Sequence, residues 1–268
     1  MKLLIYNIRN WQDSQGESNV RRLLEVLREA DADVIGLNEV LHPHPSPDPN
    51  LPALDYLARK LGMEAAFGPA FQPTNAFHLP EVMSGNAVLC RYPILASAAH
   101  HLTPVVNRQR GLLETRIFLP DDTAFTLYVT HLEPKREDVR VQQVRSALSW
   151  TVRDRGKPHV IVGDLNTYHP ADFPDKDALA AFRAKAEARG FTFFQAQVIP
   201  LLLKSGYVDA CASHPQPTWN RDDELWARMD FILLSEPLAG SVKACGVIDT
   251  PATRETSDHL PVLADVEM

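Results

Sequence analysis

Short apolar runs, each leading into an acid, an amide or an imidazole, recur along this chain and constrain its fold more than any other feature. Residues 3–6 form the first run and precede Asn7, while residues 33–37 precede Asn38 and Glu39. Runs of this length predict buried β-strands. Catalytic and binding groups concentrate at such positions because a rigid sheet can aim the side chains that follow its strands. The chain is therefore predicted to be an α/β protein with a functional site at strand ends.

A helix is predicted between the first two strands because Val20, Leu23, Leu24 and Leu27 repeat with helical spacing. This β-α-β unit predicts that the two strands are parallel or near neighbours. Two later strands joined by the turn at 120–122 form a predicted hairpin, so the sheet is mixed. The other predicted strands lie within residues 85–94, 159–162, 229–234, 242–248 and 260–266, the hairpin covers 112–119 and 124–130, and further helices cover 51–61, 135–155 and 177–189.

Two segments have an unusual composition. Residues 42–49 contain four prolines, which remove backbone donors and fix φ, so they predict a surface loop. Its histidines, His42 and His44, are predicted to face solvent rather than a metal. Residues 191–194 and 199–203 are the most apolar part of the chain. They are predicted to pack in the core rather than to line a lid, because exposed apolar patches of this size are rare.

Composition limits the class of protein. A chain of 268 residues with 45% hydrophobic residues can bury a large core, and we predict one domain over residues 1–268. A formal net charge of -7 and a pI of about 5.8 disfavour bulk binding to nucleic acid. No stretch approaches the roughly 20 apolar residues of a membrane span. The first apolar run is too short for the core of a signal peptide and leads directly into a candidate site residue. A soluble cytoplasmic protein is therefore expected.

The three cysteines, Cys90, Cys211 and Cys245, are odd in number and show neither close pairing nor CxxC spacing. This pattern indicates neither a disulfide framework nor a zinc site. All three are therefore predicted to be buried, reduced thiols.

The polar groups at the strand ends are mostly hard oxygen donors, and no cysteine accompanies them. Such a set selects Mg²⁺, with Mn²⁺ as the alternative, over zinc. Because Mg²⁺ keeps several waters and takes one or two protein carboxylates, the other carboxylates are predicted to serve the histidines. The donors are Glu39, Asp164, Asp230 and Asp258, together with Asn7 and Asn166.

The histidines supply the acid–base chemistry in this interpretation. His259 could take a proton from an attacking water if Asp230 held its other ring nitrogen. His131 could donate to a phosphoryl oxygen or to the leaving group, and Asn166 offers a neutral amide for the same charge. Taken singly, each motif is more typical of a turn or a cap. Their joint occurrence after six apolar runs is what favours a catalytic site.

Taken in order, these residues resemble the endonuclease/exonuclease/phosphatase superfamily, which includes DNase I, the AP endonucleases, neutral sphingomyelinases and inositol polyphosphate 5-phosphatases. The resemblance runs from residue 2 to residue 266 and is specific as a set. It is carried by Asn7, Glu39, residues 85–89 and 130–132, Gly163-Asp164-Leu165-Asn166, residues 228–232, and Ser257-Asp258-His259-Leu260-Pro261.

The resemblance implies a four-layer α/β/β/α sandwich, in which two mixed β-sheets are flanked by helices, and hydrolysis of a phosphate ester at one edge. By similarity, Glu39 binds the divalent metal with Asn7 and Asp258 close to it. Asp164 and Asn166 would position the water and the phosphate. His259, backed by Asp230, would be the general base, and His131 would stabilise the charge on phosphorus or assist departure of the leaving group.

Departures from the family pattern favour some branches over others. AP endonucleases usually carry an acidic residue two positions after the first asparagine and a tyrosine at the position of His131, whereas this chain has Arg9. The pattern is closer to DNase I and the sphingomyelinases, although neither their secretion signal nor their calcium-binding disulfide features are predicted for this chain. Asp209 lies in a segment similar to the strand before the family's substrate-facing loop and is predicted to be structural.

Three functions follow from these observations. The first is a metal-dependent phosphodiesterase or phosphatase that acts on a small or lipid-derived phosphate ester. The second is a DNA or RNA nuclease, for which a local basic rim would be needed. The third is a catalytically silent scaffold that binds a partner through the cleft. The residues leave the ester, the choice between diester and monoester, and the oligomeric state open. The candidate rim comprises Arg108, Arg110, Lys135, Arg136 and Arg140.

Overall fold

The computed structural model describes residues 1–73, 81–102, 109–188, 196–221 and 224–268. The apolar segment 191–194, Gly190 and Arg108 lie outside the described residues. Helices are α1 (Val20–Ala30), α2 (Ala53–Leu61), α3 (Glu137–Thr151), α4 (Lys176–Ala188), α5 (Val198–Lys204) and α6 (Pro251–Thr256). Within these described ranges, none of the helices has the length and apolarity that crossing a membrane requires.

The described strands form two six-stranded sheets and a small hairpin. They are β1 (Lys2–Asn7), β2 (Val34–His42), β3 (Glu64–Phe71), β4 (Met83–Cys90), β5 (Ile94–His101), β6 (Gly111–Phe118), β7 (Ala124–His131), β8 (His159–Asp164), β9 (Val208–Asp209), β10 (Trp219–Arg221), β11 (Glu224–Ala227), β12 (Asp230–Leu234), β13 (Val242–Val247) and β14 (Val262–Val266). The first sheet has the order β13-β14-β1-β2-β4-β3, the second has β5-β6-β7-β8-β12-β9, and β10 pairs with β11. Both large sheets are mixed: β1 and β2 are parallel, as the β-α-β pattern predicts, and so are β7 and β8.

The two sheets pack face to face with helices on their outer sides. Alternate residues of β1 show this arrangement, because side chains point to opposite faces of a strand. Leu3 and Ile5 pack with Val129 and Val162 of the second sheet, whereas Leu4 packs against α1 and α2. On the other side, the second sheet packs against α3 and α5. The fold is therefore the predicted four-layer α/β/β/α sandwich.

Several local predictions are corrected. Glu39 does not follow a strand: β2 continues to His42, and the β2–β4 register shifts between Leu37 and Val40. Strand β3 was not predicted because its sequence, EAAFGPAF, contains glycine and proline and has few β-branched residues. It forms an edge strand, where proline is tolerated. Residues 199–203 belong to α5, whose buried residues pack against α3, so this part of the apolar segment is core.

The prediction of three reduced thiols is wrong for two of them. Cys211 and Cys245 form a disulfide, with their Cα atoms 5.1 Å apart and a sequence separation of 34. Cys211 follows β9 and Cys245 lies in β13, which are edge strands of the two different sheets. The bond therefore links the sheets. Sequence spacing could not indicate this pairing, because it depends on how the sheets stack. Cys90 is free and buried.

Candidate active site

Five strands bring the predicted site residues to one edge of the stacked sheets. Asn7, His131 and Asp164 are the last residues of β1, β7 and β8. Asp230 opens β12, which runs antiparallel to β8, and pairs in register with Asp164. His259 lies just before β14, which is antiparallel to β1. Ends of some strands and starts of others therefore meet at the same edge.

His259 is held by Asp230. The Nδ1 atom of His259 lies 2.8 Å from Oδ2 of Asp230, which fits an Nδ1–H that donates to the carboxylate. Its other nitrogen, Nε2, faces Asp164 at 3.6 Å. Burial alone would lower the pKa of His259, but the charges of Asp230 and Asp164 more than reverse this and raise it. The imidazole is thus fixed in orientation and made more basic.

Asp164 is the buried acceptor at the centre of the site. It accepts hydrogen bonds from Asn7 Nδ2 at 3.0 Å and from the backbone N–H of Asn166 at 2.9 Å. Its own backbone N–H donates to Oδ1 of Asn38 at 2.7 Å. Burial raises the pKa of the Asp164 carboxyl, and the negative charge of Asp230 adds to this, although His259 opposes it.

His131 and Asn166 lie together beside Asp164. The amide nitrogen of Asn166 is 2.8 Å from His131 Nε2 and also donates to the carbonyl of Leu132 at 3.0 Å. Burial lowers the pKa of His131, and the positive charges of Arg110 and His259 lower it further. A neutral His131 that accepts at Nε2 carries its proton on Nδ1, which faces Glu39 Oε1 at 4.0 Å.

Glu39 is placed by the irregularity in β2 and has a left-handed φ of 58°. Its Oε1 accepts from Asn7 Nδ2 at 3.3 Å, and its Oε2 accepts from Asn10 Nδ2 at 2.8 Å. Burial raises the pKa of the Glu39 carboxyl, and the nearby negative charge of Asp258 raises it further. Asp258 itself lies 3.9 Å from Nε of Arg9. The predicted metal-binding carboxylates are therefore neighbours.

Left-handed backbone conformations cluster at this edge. Arg9, Asn10, Trp11, Glu39 and Asn166 all have φ between 49° and 65°. Such values are uncommon for residues other than glycine, and they persist only where the surrounding structure imposes them. The surrounding structure therefore holds the backbone at these five residues in a conformation that it would rarely adopt by itself.

Sequence reasoning missed Asn10 and the supporting role of two buried asparagines, Asn38 and Asn86. Asn38 Nδ2 donates to Asn86 Oδ1 at 2.8 Å and to the carbonyl of Thr130 at 3.1 Å. Asn86 Nδ2 in turn donates to the carbonyls of Gly111 and Val129. These amides join the first sheet to the second beneath the site. The available signal was an asparagine inside an apolar strand, since a buried amide needs partners.

The predicted structural role of Asp209 agrees with its contacts. Arg228 donates from Nη1 to Asp209 Oδ1 at 3.0 Å and from Nε to Asp172 Oδ2 at 3.0 Å. Both Arg228 and Asp209 are buried. This ion-pair network holds the chain immediately before Asp230.

The site opens into a cleft of about 260 Å³, lined by carboxylates, imidazoles and the ring of Trp219. Arg110, also in the lining, is 8% exposed, and Arg140 is fully buried beside Glu137. Arg136 is exposed but pairs with Asp138. The prediction of an exposed basic rim is therefore wrong for Arg110 and Arg140.

The donor set fits a hard divalent cation. Glu39 and Asp258 offer carboxylate oxygens on one cleft, and no thiolate lies among the lining residues. Asn7 faces the carboxylates with its amide nitrogen, while its oxygen accepts from the backbone N–H of Arg9. Among the described residues, the group whose ligand atoms meet the geometry for an ion is a neighbouring one: those of Asp164, Asp230 and His259 lie within 4.8 Å of one another.

This sandwich, with acids, amides and imidazoles gathered at one edge of paired sheets, defines a DNase I-like phosphoester hydrolase architecture. A model described as the Endonuclease/Exonuclease/phosphatase family matches residues 11–259, and the chain belongs to this family. Members of the family act on phosphoesters and are generally dependent on a divalent metal. The chain is 31% identical over 206 residues to the uncharacterized protein YbhP of Escherichia coli (strain K12), a match that covers 72% of this chain and 78% of that protein.

Solved structures share the fold at low sequence identity. An endonuclease/exonuclease/phosphatase from Beutenbergia cavernae is 20% identical with a TM-score of 0.73, covering 100% of this chain and 71% of that one. The mannosyl-6-phosphatase Bt3783 of Bacteroides thetaiotaomicron is 17% identical with a TM-score of 0.70, covering all of both chains. The 3′ phosphatase NExo from Neisseria, bound to a product DNA hairpin, is 17% identical with a TM-score of 0.71, again over all of both chains.

Proposed function

We propose that this protein hydrolyses phosphate esters by in-line attack of a water molecule, with Mg²⁺ as the cofactor and Mn²⁺ as a substitute. The observation that carries the proposal is the contact of His259 with Asp230 at 2.8 Å, with the free imidazole nitrogen turned toward Asp164. An imidazole oriented in this way by a buried carboxylate is suited to act as a general base.

The chain's own residues divide the chemistry between them. His259 takes the proton of the attacking water at Nε2, while Asp230 keeps the other nitrogen protonated and stabilises the imidazolium that forms. Asp164 positions that water next to Nε2. The amide of Asn166 donates to Nε2 of His131 and so keeps the proton of the neutral imidazole on Nδ1. That Nδ1–H would face the charge that develops on the phosphoryl oxygens, where preorganised donors contribute most.

Glu39 and Asp258 would hold the divalent cation, with Asn7 and Asn10 fixing the position of Glu39. When bound, the cation would neutralise charge on the phosphoryl oxygens and help to orient the ester. The repulsion that the charge of Asp258 exerts on the Glu39 carboxylate supports this assignment, because a cation held between the two would relieve it.

The two alternatives have less support. A nuclease needs cationic groups along the path of the nucleic-acid backbone, yet Arg110 and Arg140 are buried and Arg136 pairs with Asp138. A silent scaffold would be expected to have lost a ligand or the base, whereas the sequence retains all the predicted groups.

The test is hydrolysis of p-nitrophenyl phosphate and bis-p-nitrophenyl phosphate by the purified protein with Mg²⁺ or Mn²⁺. Turnover of at least one ester is expected, with complete loss in EDTA and a loss of about 10³-fold or more in His259→Ala. His101→Ala, an exposed histidine in β5, is the matched control and should retain full activity. Activity that persists in EDTA, or in His259→Ala, would refute the mechanism.

A further inference from the structure

The cleft has two unequal sides, which meet at Glu39, Arg110 and His131. On one side it extends past Asp164 and Trp219 with a volume of about 260 Å³. On the other side, the cavity bounded by the described residues has a volume of only about 10 Å³. A volume of that size holds at most one water molecule. As far as the described residues bound it, a group at the junction therefore has room for a substituent on the wide side and not on the narrow one.

Backbone forms part of the wall of the narrow side, beside side chains that include Phe71 and Ser84. Gly85 lies in its wall, and a Cβ atom built at Gly85 would stand 2.1 Å from the carbonyl oxygen of Gly68 in the neighbouring strand. At Gly111, also in the wall, a Cβ would be 3.2 Å from Cβ of Ala70. Because paired strands form this part of the wall, it cannot move aside unless the strands separate.

Arg110 places a positive charge at the junction itself. It lines both the wide and the narrow side, and only 8% of its surface is exposed. A second guanidinium, that of Arg9, lies 3.9 Å from the carboxylate of Asp258, which also lines the wide side. A buried guanidinium is a strong partner for phosphate oxygens because its donors are planar and always charged.

We propose, building on the hydrolase function above, that the substrate is a phosphate monoester and that Arg110 selects it. The single ester substituent occupies the wide side beside Trp219. The unesterified oxygens of the terminal phosphoryl group face Arg110 and the narrow side. A monoester carries close to two negative charges at neutral pH, whereas a diester carries one. A diester would also have to place a second substituent in the narrow side.

The sharpest comparison uses p-nitrophenyl phosphate and methyl p-nitrophenyl phosphate, which share a leaving group and differ by one methyl ester. The wild-type protein with Mg²⁺ should prefer the monoester by about 10²-fold or more in kcat/KM. Arg110→Gln should lower kcat/KM for the monoester by about 10²-fold and that for the diester by less than about 10-fold, because only the monoester presents the second charge. Arg116→Gln, an exposed arginine of β6, should change neither.

A binding measurement gives a readout independent of turnover. Titration calorimetry of the His259→Ala protein with inorganic phosphate should give binding, whereas dimethyl phosphate should bind at least about 10-fold more weakly. Adding Arg110→Gln should remove this difference. If Arg110→Gln does not fold, as judged by circular dichroism, the wild-type ester ratio and the two titrations still decide.

Equal or better turnover of the methyl diester would overturn the proposal while leaving phosphoester hydrolysis intact. So would an equal loss for both esters in folded Arg110→Gln, or equal binding of phosphate and dimethyl phosphate. Failure to turn over either ester with any divalent metal would instead refute the proposed hydrolase function. The titrations would then still show whether the cleft selects a dianionic phosphate.

Discussion

The side chain of Asn38, in the first sheet, accepts a hydrogen bond from the backbone N–H of Asp164, in the second sheet, at 2.7 Å. These residues are 126 positions apart. Asn38 also donates to Asn86 and to the carbonyl of Thr130, so one amide joins three strands below the site. The orientation of Asp164 therefore depends on the packing of one sheet against the other.

Asn38→Ala should lower the free energy of unfolding by about 2–5 kcal/mol, because it leaves buried groups on Asp164, Asn86 and Thr130 without a partner. Urea denaturation measures the change. Asn50→Ala, at an exposed position, should stay within about 0.5 kcal/mol of the wild type. A loss no larger than that of the control would mean that the amide contacts are unimportant for stability.

Asp230→Asn should leave the fold intact but lower kcat by about 10²–10⁴-fold, because a neutral amide cannot hold His259 in the reactive tautomer or stabilise its charge. The double variant Asp230→Asn with His259→Ala should be little worse than His259→Ala alone, since the two residues act as a unit. Steady-state kinetics on p-nitrophenyl phosphate provides the measurement. Fully additive losses would argue against a catalytic pair.

Asn10→Ala should weaken binding of Mn²⁺ by about 10–100-fold, because Asn10 donates to Oε2 of the proposed ligand Glu39. Titration calorimetry with the metal alone is the measurement, and Asn50→Ala again serves as the control. Glu39→Ala should abolish the binding. An unchanged affinity in Glu39→Ala would place the ion elsewhere, with the group of Asp164, Asp230 and His259 as the next site to test.

Gly163→Ala should destabilise the protein by more than about 3 kcal/mol. Gly163 has φ of 154°, and a Cβ there would lie 1.7 Å from the carbonyl oxygen of Thr130 in the adjacent parallel strand. Relief requires β7 and β8 to separate next to His131 and Asp164. Gly240→Ala is the matched control, because a Cβ at Gly240 meets nothing within 4 Å. Thermal unfolding measures the effect, and closely similar midpoint temperatures for the two variants would contradict this prediction.

Replacing both Cys211 and Cys245 by serine should lower the free energy of unfolding by about 3–4 kcal/mol, the value expected for closing a loop of this length. Chemical denaturation with and without reductant checks it: reductant should destabilise the wild type and leave the double variant unchanged. Alkylation of protein taken directly from cells reports whether the bond forms there. Because disulfides persist in oxidising compartments, an oxidised pair would argue against the expected cytoplasmic location.

Much of the architecture was predictable because local patterns specify it. Alternation and apolar runs identified β1, β6, β7, β8 and β12, and helical spacing identified α1 and α3, since both signals depend on neighbours in the chain. The recurrence of acids, amides and imidazoles after these runs indicated which side chains would gather at one edge. The weakly patterned edge strand β3 was missed for the same reason, because it is stabilised by pairing with β4 rather than by its own sequence.

The order of strand-forming runs and the chemical types of the groups beside them were determined by the sequence alone, because hydrophobic periodicity is a property of adjacent residues. Contacts between distant segments were decided only by the tertiary structure. They are the Asn38–Asp164 hydrogen bond, the Cys211–Cys245 disulfide and the burial of Arg110 between the wide and narrow sides of the cleft. Each of these depends on the register and stacking of two sheets. No local pattern encodes that geometry, because it arises from side chains packing across the interface.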